Sequence, residues 1–280
     1  MRLLVTGAGG GLGRAFLAQV PAHHRVHAFT HAELDVGDHD AVMQAIPPLQ
    51  PDAVINLAAF TGVDGCERDP ARAVRDNALG AQHVALAARA CAAVLFHVST
   101  DYVFDGSKGA PYDELDEPNP ISVYGQTKLA GERFVRHLVP EHLIVRTGYV
   151  FGAGDDYASG ALERLRRGED AGGIGDRVGS PTYVRDLATR ILPLLLTNRF
   201  GTYHLAGAEP ACWFDVFERA REIGGLPGTV QRQAFAALGL AAARPRDSSL
   251  ASAYLGHTGI EPMPGLDDSV RDWLGSSVDG

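Results

Sequence analysis

Short apolar runs alternate in the first half of the chain with longer stretches in which apolar residues recur every three or four positions. The apolar runs predict β-strands at 2–6, 25–29, 53–57, 93–99 and 143–147. The periodic stretches predict helices at 11–20, 39–46, around 67–75, 78–92 and 122–138. Strands that are apolar on both faces and are connected by helices are typical of a parallel sheet with helices on both sides.

Beyond residue 147 the pattern is less regular, because glycine and proline interrupt it in GAGDD, GGIGDRVGSPT and GGLPGT. We predict a helix at 183–197, a strand at 201–206, a helix at 213–223 and a short helix at 267–274. The whole pattern predicts a doubly wound, Rossmann-like α/β fold with a second, smaller α/β lobe. We expect a dinucleotide-binding domain over 1–147 plus about 183–205, and a substrate lobe over about 148–182 plus 206–280.

The composition narrows the choice of partners. The chain has 280 residues, 45% of them hydrophobic, and a formal net charge of −9. Nucleic-acid-binding domains usually carry a basic face, so this charge argues against a nucleic-acid partner. No apolar run reaches the roughly 18 residues of a membrane-spanning helix, and glycines break the N-terminal apolar run, unlike in a signal peptide. We therefore expect a cytoplasmic protein without a membrane partner.

The cysteines give no sign of a metal site or of disulfide bonds. Cys66, Cys91 and Cys212 stand far apart and form no CxxC pair. Zinc sites and disulfide frameworks usually show paired or regularly spaced cysteines. We predict reduced thiols and no bound metal.

A glycine-rich turn between the first strand and the first helix indicates dinucleotide binding. Glycines in this position allow a tight turn and a close approach of the backbone to a pyrophosphate, while the helix that follows offers free N–H groups. A glycine-rich turn without a ligand is the alternative, and the position directly after the first strand argues against it. The candidate residues are Gly7, Gly10, Gly11, Leu12 and Gly13.

The end of the second strand bears on the choice of cofactor. Enzymes selective for NAD usually carry an acid there, which binds the adenine ribose 2′-hydroxyl. This chain reads Ala28-Phe29-Thr30-His31, which contains no acid, and the candidate Asp35 comes several residues later. Thr30, His31 and Arg14 would tolerate a 2′-phosphate, so NADPH is favoured and NADH remains possible. Thr30, His31, Asp35 and Val36 are the candidates for this end of the cofactor, with a solvated loop histidine as the alternative for His31.

The predicted helix at 122–138 contains a tyrosine and a lysine that can act together. Tyr124 and Lys128 are four residues apart and therefore lie on one helix face. A neighbouring ammonium favours the phenolate, so we expect it to lower the pKa of Tyr124 from the usual value of about 10. Tyr124 could then give a proton to a carbonyl oxygen while hydride arrives at the carbon. The pair alone says little, since such pairs are common on helix surfaces.

Together with the glycine turn and a strand that ends in Ser-Thr, this pair resembles the extended short-chain dehydrogenase/reductase superfamily. The sequence is more closely similar to the dTDP-4-dehydrorhamnose reductases, and the resemblance covers residues 2 to about 275. The segments that carry it are RLLVTGAGGGLG, PDAVINLAAFTGVDGCERDP, DNALG, STDYVFDG, NPISVYGQTKLAGE, VGSPTYVRDLA, GTYHLAG and RPRDS. The resemblance implies hydride transfer from NAD(P)H to the C4 ketone of a dTDP-linked 4-keto-deoxysugar.

The resemblance also implies roles for individual residues. Thr100 would bind the ketone, Tyr124 would donate the proton, and Lys128 would support both the phenol and the nicotinamide ribose. Asn77 would lie near the nicotinamide, with a helix N-cap as an alternative or additional role. The remaining cofactor-binding candidates are Ala58, Ala59, Phe60 and Ser99. The remaining substrate-binding candidates are Val63, Asp101, Tyr102, Tyr149, Arg244 and Arg246.

Three positions depart from the family pattern, and all concern substrate recognition. Tyr149 stands where the family has tryptophan, Gly148 where it has serine, and Asp247 where it has asparagine. Ketone reduction is therefore better supported than the rhamnose precursor as substrate. A related deoxysugar ketone or aldehyde of an antibiotic sugar pathway stays open.

Other functions of the same fold agree less well with these residues. A 4,6-dehydratase would need glutamate where this chain has Tyr102, and a C4 epimerase would lack VGSPTY and STDYVFDG. A regulatory subunit that binds NADP without turnover is the non-catalytic alternative, although it would have no reason to keep Thr100, Tyr124 and Lys128 together. The sequence leaves monomer and homodimer open.

Overall fold

A computed structural model describes residues 1–276 and is organised around parallel β-strands. The strands in this part of the chain are β1 (Arg2–Thr6), β2 (Arg25–Phe29), β3 (Ala53–Asn56), β4 (Val94–Thr100), β5 (His142–Thr147), β6 (Val150–Phe151), β7 (Ala171–Ile174), β8 (Thr182–Tyr183), β9 (Gly201–His204) and β10 (Val230–Gln233). The α-helices are α1 (Gly11–Leu17), α2 (His39–Ala45), α3 (Val63–Arg68), α4 (Pro70–Ala73), α5 (Gly80–Ala90), α6 (Val123–Leu138), α7 (Tyr157–Arg166), α8 (Val184–Leu196), α9 (Trp213–Gly224) and α10 (Leu266–Ser276). A π-helical segment, Val74–Leu79, joins α4 to α5.

Six strands form one parallel sheet in the order β2-β1-β3-β4-β5-β9. The chain passes from β1 to β2 in one direction and then returns to place β3 on the other side of β1. Crevices form at the carboxyl ends of the strands where the order reverses in this way, and ligands bind there in open α/β sheets. The predicted doubly wound fold is confirmed.

Helices bury both faces of this sheet. On one face, Phe16 of α1 and Ile191 of α8 belong to the apolar core that covers β1, β3 and β5. On the other face, Val42, Val84 and Val135 from α2, α5 and α6 form a second core. The continuous apolarity of the strands is explained by this burial on both sides.

A smaller group of elements packs beyond the carboxyl ends of the strands. β6 pairs with β8 and β7 pairs with β10, both in parallel. Helices α7, α9 and α10 contribute to an apolar core that includes Phe151, Phe217 and Trp273. This core places a wall of side chains opposite the edge of the main sheet.

Most predicted elements of the first 147 residues are present, with ends shifted by at most three residues. The predicted helix around 67–75 is wrong in its bounds, because Asp69 separates α3 from α4 and the π-helical segment follows. Helix α7 and strands β6, β7, β8 and β10 were not predicted. Sequence AGGI of β7 lacks the side chains that usually mark a strand, and β6 and β8 contain only two residues each.

No helix within residues 1–276 is long and apolar enough to cross a membrane. The three cysteines are unpaired, and the same residues include no cluster of three or more His, Cys, Asp or Glu side chains that could hold a metal ion.

Candidate active site

A cleft of about 1710 Å³ runs along the carboxyl ends of the sheet strands and continues to the smaller group of elements. The side chains or backbone of most predicted site residues line it. These are Gly7, Gly10, Gly11, Leu12, Gly13, Thr30, His31, Asp35, Val36, Ala58, Ala59, Phe60, Val63, Ser99, Thr100, Asp101, Tyr102, Tyr124, Lys128, Tyr149 and Arg244. Asn77 and Arg246 do not belong to the lining.

The glycine turn forms a cradle that larger residues would fill. Gly7 has a φ of +72°, and a Cβ there would lie 2.6 Å from the Ala58 backbone nitrogen. A Cβ on Gly13 would lie 2.4 Å from the Gly7 carbonyl oxygen. Only glycine fits this close backbone packing, and the turn lines the cleft, where its geometry fits the pyrophosphate of a dinucleotide.

The polar groups at the end of β2 are already paired. The Thr30 backbone N–H and hydroxyl both donate to Glu33 Oε2, each at 2.8 Å. Asp35 accepts from the Gly37 N–H at 2.9 Å and lies 3.3 Å from an Arg75 guanidinium nitrogen. The acidic side chain that hydrogen-bonds to the end of β2 is therefore Glu33 rather than Asp35.

Arg14 makes contacts away from the end of β2. Its guanidinium donates to the Gly9 carbonyl at 2.6 Å and to the Ala153 carbonyl at 3.0 Å, and it pairs with Asp155 at 3.3 Å. These bonds tie α1 to the segment after β6. That Arg14 accommodates a 2′-phosphate stays a prediction, and these contacts are what its side chain would have to give up.

The end of β4 and the start of α6 bring the three predicted catalytic side chains to one wall of the cleft. Ser122 caps α6 by accepting the Gly125 N–H at 3.2 Å. A Cβ on Gly125 would lie 2.1 Å from the Tyr102 carbonyl oxygen, so glycine lets the helix approach the turn after Thr100. Tyr124 and Lys128 follow on successive turns of this helix.

Burial controls the protonation of both residues. It raises the pKa of the Tyr124 phenol, and a hydrogen bond with Thr100 offsets part of this rise. It lowers the pKa of Lys128 to about 8. The expectation that Lys128 lowers the pKa of Tyr124 is wrong for this structure, in which the ammonium donates to the Val98 carbonyl at 2.7 Å. A phenol with a raised pKa keeps its proton at neutral pH and can donate it.

Asp101 is almost completely buried, with 2% of its surface exposed. The Thr100 hydroxyl donates to its Oδ1 at 3.0 Å, and the Ser248 hydroxyl donates to its Oδ2 at 2.5 Å. Burial raises the pKa of this carboxyl to about 6, and both hydrogen bonds oppose the rise. Next to it, the ring of Tyr102 meets the ring of Tyr124 edge to face, with 5.9 Å between centroids.

Asn77 holds the loop beneath the predicted cofactor position. Its amide Oδ1 accepts the Phe60 N–H at 2.8 Å, and its Nδ2 donates to the Phe60 carbonyl at 3.1 Å. It lies within the π-helical segment rather than at a helix start, so the N-cap alternative is wrong. Insertions of π geometry often occur at functional positions.

Ser99 joins β4 to a buried ion pair. Its hydroxyl donates to Glu132 Oε1 at 2.6 Å, and Arg146 donates to both carboxylate oxygens at 2.9 and 2.8 Å. Arg136 adds a bond of 2.7 Å from the surface side. This network connects β4, β5 and α6 one residue before Thr100, and nothing in the spacing of the sequence indicated it.

The two predicted arginines occupy different places. Arg244 lines the cleft and is held by Asp64 through two bonds of 2.9 and 2.6 Å, which lower the pKa of Asp64 to about 2. Arg246 is exposed and lies outside the cleft lining. Arg177 lines the cleft instead, although it was not singled out, and the guanidinium groups of Arg177 and Arg244 both lie over the Phe235 ring at 4.7 and 5.6 Å.

Tyr149 has an aromatic partner that the sequence reasoning missed. Its ring stacks on Trp213 with 4.9 Å between centroids and an interplanar angle of 4°. A Cβ on Gly179 would lie 2.5 Å from Cε1 of the Tyr149 ring, so glycine at 179 makes room for this ring. Trp213 is one of only two tryptophans in the chain, and this rarity is the sequence feature that could have marked it as a candidate site residue.

The parallel sheet, the glycine cradle and the Thr100, Tyr124 and Lys128 side chains define an extended short-chain dehydrogenase/reductase. The sequence model of the family described as RmlD substrate binding domain matches residues 1–277. The chain belongs to this family, and the resemblance recognised from the motifs is confirmed.

Relatives of known name cover nearly the whole chain. The dTDP-4-dehydrorhamnose reductase of Streptomyces griseus is 39% identical over 271 residues, which are 94% of this chain and 89% of that protein. A Streptomyces antibioticus protein named "Probable dTDP-4,6-dihydroxy-2-methyloxan-3-one 4-ketoreductase" is 35% identical over 278 residues, 98% of this chain and 92% of its own length. The solved structure of dTDP-4-dehydrorhamnose reductase from Bacillus anthracis in complex with NADP has a TM-score of 0.94 at 32% identity, covering 98% of this chain and 99% of that one.

Proposed function

We propose that this protein is an NADPH-dependent reductase of a dTDP-linked 4-keto-6-deoxysugar, with dTDP-4-dehydrorhamnose as substrate and dTDP-rhamnose as product. The observation that carries the proposal is the position of Thr100, Tyr124 and Lys128 on the wall of the cleft that also contains the glycine cradle. Family membership and the named relatives support the same reaction.

The nicotinamide cofactor, when bound, supplies the hydride. Tyr124 donates its phenolic proton to the oxygen of the ketone, as its raised pKa allows. Thr100 hydrogen-bonds the same oxygen, and Lys128 stabilises the charge left on the phenol. Ser99, Ala58, Ala59 and the Phe60 backbone fixed by Asn77 hold the cofactor.

NADPH is the cofactor we propose, with NADH as a second possibility. The NADP complex of the Bacillus anthracis relative supports NADP(H). Thr30 and His31 line the cleft near the end of β2, and Asp35 forms a salt bridge with Arg75. The exposed Glu33 beside Thr30 is the feature that would favour NADH, because a carboxylate repels a 2′-phosphate.

We propose that the nucleotide diphosphate of the substrate lies between Arg244 and Arg177. Arginine suits this role because its planar group can bind two phosphate oxygens at once. Asp64 holds Arg244 through a salt bridge, and both guanidinium groups lie against the ring of Phe235. Arg246 is exposed and lies outside the cleft lining, so it is not included in this proposed site.

A related deoxysugar ketone is the second candidate substrate. The stacked pair of Tyr149 and Trp213 favours it, because this surface differs from the family tryptophan at position 149. Asp101, Tyr102 and Val63 would complete the sugar pocket. The Streptomyces antibioticus relative carries a name for a different dTDP-linked ketone.

The test is a panel of dTDP-4-keto-6-deoxysugars with NADPH, in which cofactor oxidation and product stereochemistry are measured. Steady turnover of dTDP-4-dehydrorhamnose supports the first candidate, and selective turnover of another ketone supports the second. Thermal stabilisation by NADPH without turnover of any sugar would indicate the regulatory-subunit alternative and refute both.

We further propose a cytoplasmic protein, monomeric or homodimeric, divided at 1–147 plus about 183–205 and about 148–182 plus 206–280. The pairing of β9 with β5 and the packing of α8 on α1 support the return of the second range to the first domain.

A further inference from the structure

The carboxyl group of Asp101 is almost completely buried at the edge of the cleft, and each of its oxygens accepts a hydrogen bond from a hydroxyl. Thr100 donates to one oxygen and Ser248 to the other. The backbone of Gly148 closes a further side, since a Cβ there would lie 2.7 Å from Asp101 Cγ. A carboxyl held in this way can act on the reaction through its two hydroxyl neighbours.

The direction of the bond between Thr100 and Asp101 matters for ketone reduction. The Thr100 oxygen accepts the Tyr102 N–H at 3.2 Å. Its single proton can go either to Asp101 or to the substrate oxygen, but not to both. An ionised Asp101 can only accept hydrogen bonds, so it keeps the Thr100 hydroxyl proton directed away from the ketone.

We propose that Asp101 is a positioning residue whose protonation sets the direction of the Thr100 hydroxyl, and that Ser248 holds its carboxyl in place. A protonated Asp101 donates to the Thr100 oxygen, and the Thr100 proton then turns toward the ketone. The Asp101 proton is not consumed, because Tyr124 supplies the proton that the product gains. This inference rests on the proposed reductase function.

The surroundings of Asp101 allow both protonation states near neutral pH. Burial raises its pKa to about 6. Three tyrosines face it: Tyr102 on the same turn, Tyr124 on α6 and Tyr149 after β5. Burial raises the pKa of each phenol, so none of them changes charge near neutral pH. The Arg244 guanidinium beside Tyr102 is paired with Asp64.

The pH profile of single-turnover reduction tests the proposal in the wild type and two serine variants. We expect the wild-type rate to fall as pH rises through the pKa of Asp101. Ser248→Ala removes a donor that stabilises the carboxylate, so the fall should move upward by about 0.5 to 1 pH units. Ser249→Ala is the matched control, because this neighbouring serine donates to Asp247 and should leave the profile unchanged.

Asp101→Asn gives a second readout. The asparagine NH2 can donate to Thr100 while its carbonyl oxygen accepts from Ser248, and the amide does not titrate, so reduction should continue with no fall in this pH range. A profile that Asp101→Asn leaves unchanged, or that both serine variants share with the wild type, overturns the proposal. Absence of turnover in the wild type at every pH overturns the proposed function as well, and this outcome is distinct from turnover with an unaltered profile.

Discussion

Replacing Arg146 by methionine should destabilise the protein more strongly than most single changes, because it breaks a buried ion pair. Glu132 is 0% exposed and Arg146 is 2% exposed. Burial alone would raise the pKa of Glu132, yet the bonds from Arg146 and Ser99 hold it below its usual value. Without Arg146 this carboxylate keeps only Ser99 and Arg136 as donors.

The expected loss follows from what remains. Removing one partner of a buried pair usually costs about 3–5 kcal/mol. Arg136 still reaches Glu132 from a side chain that is 37% exposed, so we expect the lower end of the range, about 3 kcal/mol. The methionine roughly replaces the volume, and the loss therefore reports the unpaired charge.

Urea denaturation followed by circular dichroism measures this loss. The matched control is Arg167→Met, which breaks an exposed pair with Glu169 whose side chains are 56% and 45% exposed. Exposed pairs contribute about 0–1 kcal/mol. A loss below about 1 kcal/mol for Arg146→Met, or one equal to the control, would refute the reasoning.

Three further variants have expected outcomes. Asp64→Asn should raise the KM for the dTDP-sugar about tenfold with little change in kcat, because it frees Arg244. The stability that Asp64 contributes should be complete above its unfolded pKa of about 4 and lost as pH falls toward about 2, so unfolding midpoints of wild type and variant should converge there. Gly13→Ala should weaken NADPH binding in a fluorescence titration by about tenfold or more, since its Cβ would lie 2.4 Å from the Gly7 oxygen. Gly160→Ala, in an open position of α7, should instead stabilise the fold by about 0.5–1 kcal/mol, and a destabilised variant would contradict this account.

The sequence predicts the sheet well because its strands are buried on both faces and its helices are amphipathic. The glycine turn, Thr100, Tyr124 and Lys128 also follow from sequence, because strand ends and helix spacing place them without knowledge of distant contacts. The smaller group of elements was predicted less well, since its short strands lack apolar alternation. There the fold depends on tertiary packing rather than on local pattern.

The parts of the site that sequence could not supply are contacts between distant segments. Ser248 reaches Asp101 across 147 positions, and Arg244 reaches Asp64 across 180. Neither spacing has a local signature. The pKa of Tyr124 was also beyond the reach of the sequence, because it depends on burial and not on the lysine four residues later.

The central claim is that Tyr124 donates the proton in ketone reduction, and Tyr124→Phe tests it most directly. The measurement is kcat for NADPH oxidation with dTDP-4-dehydrorhamnose, together with the affinity of the variant for NADPH. General acid catalysis contributes about 10²–10⁴-fold, so we predict a loss of turnover of this size while NADPH binding stays within a few-fold of wild type. Turnover of the variant within about tenfold of wild type would contradict the account.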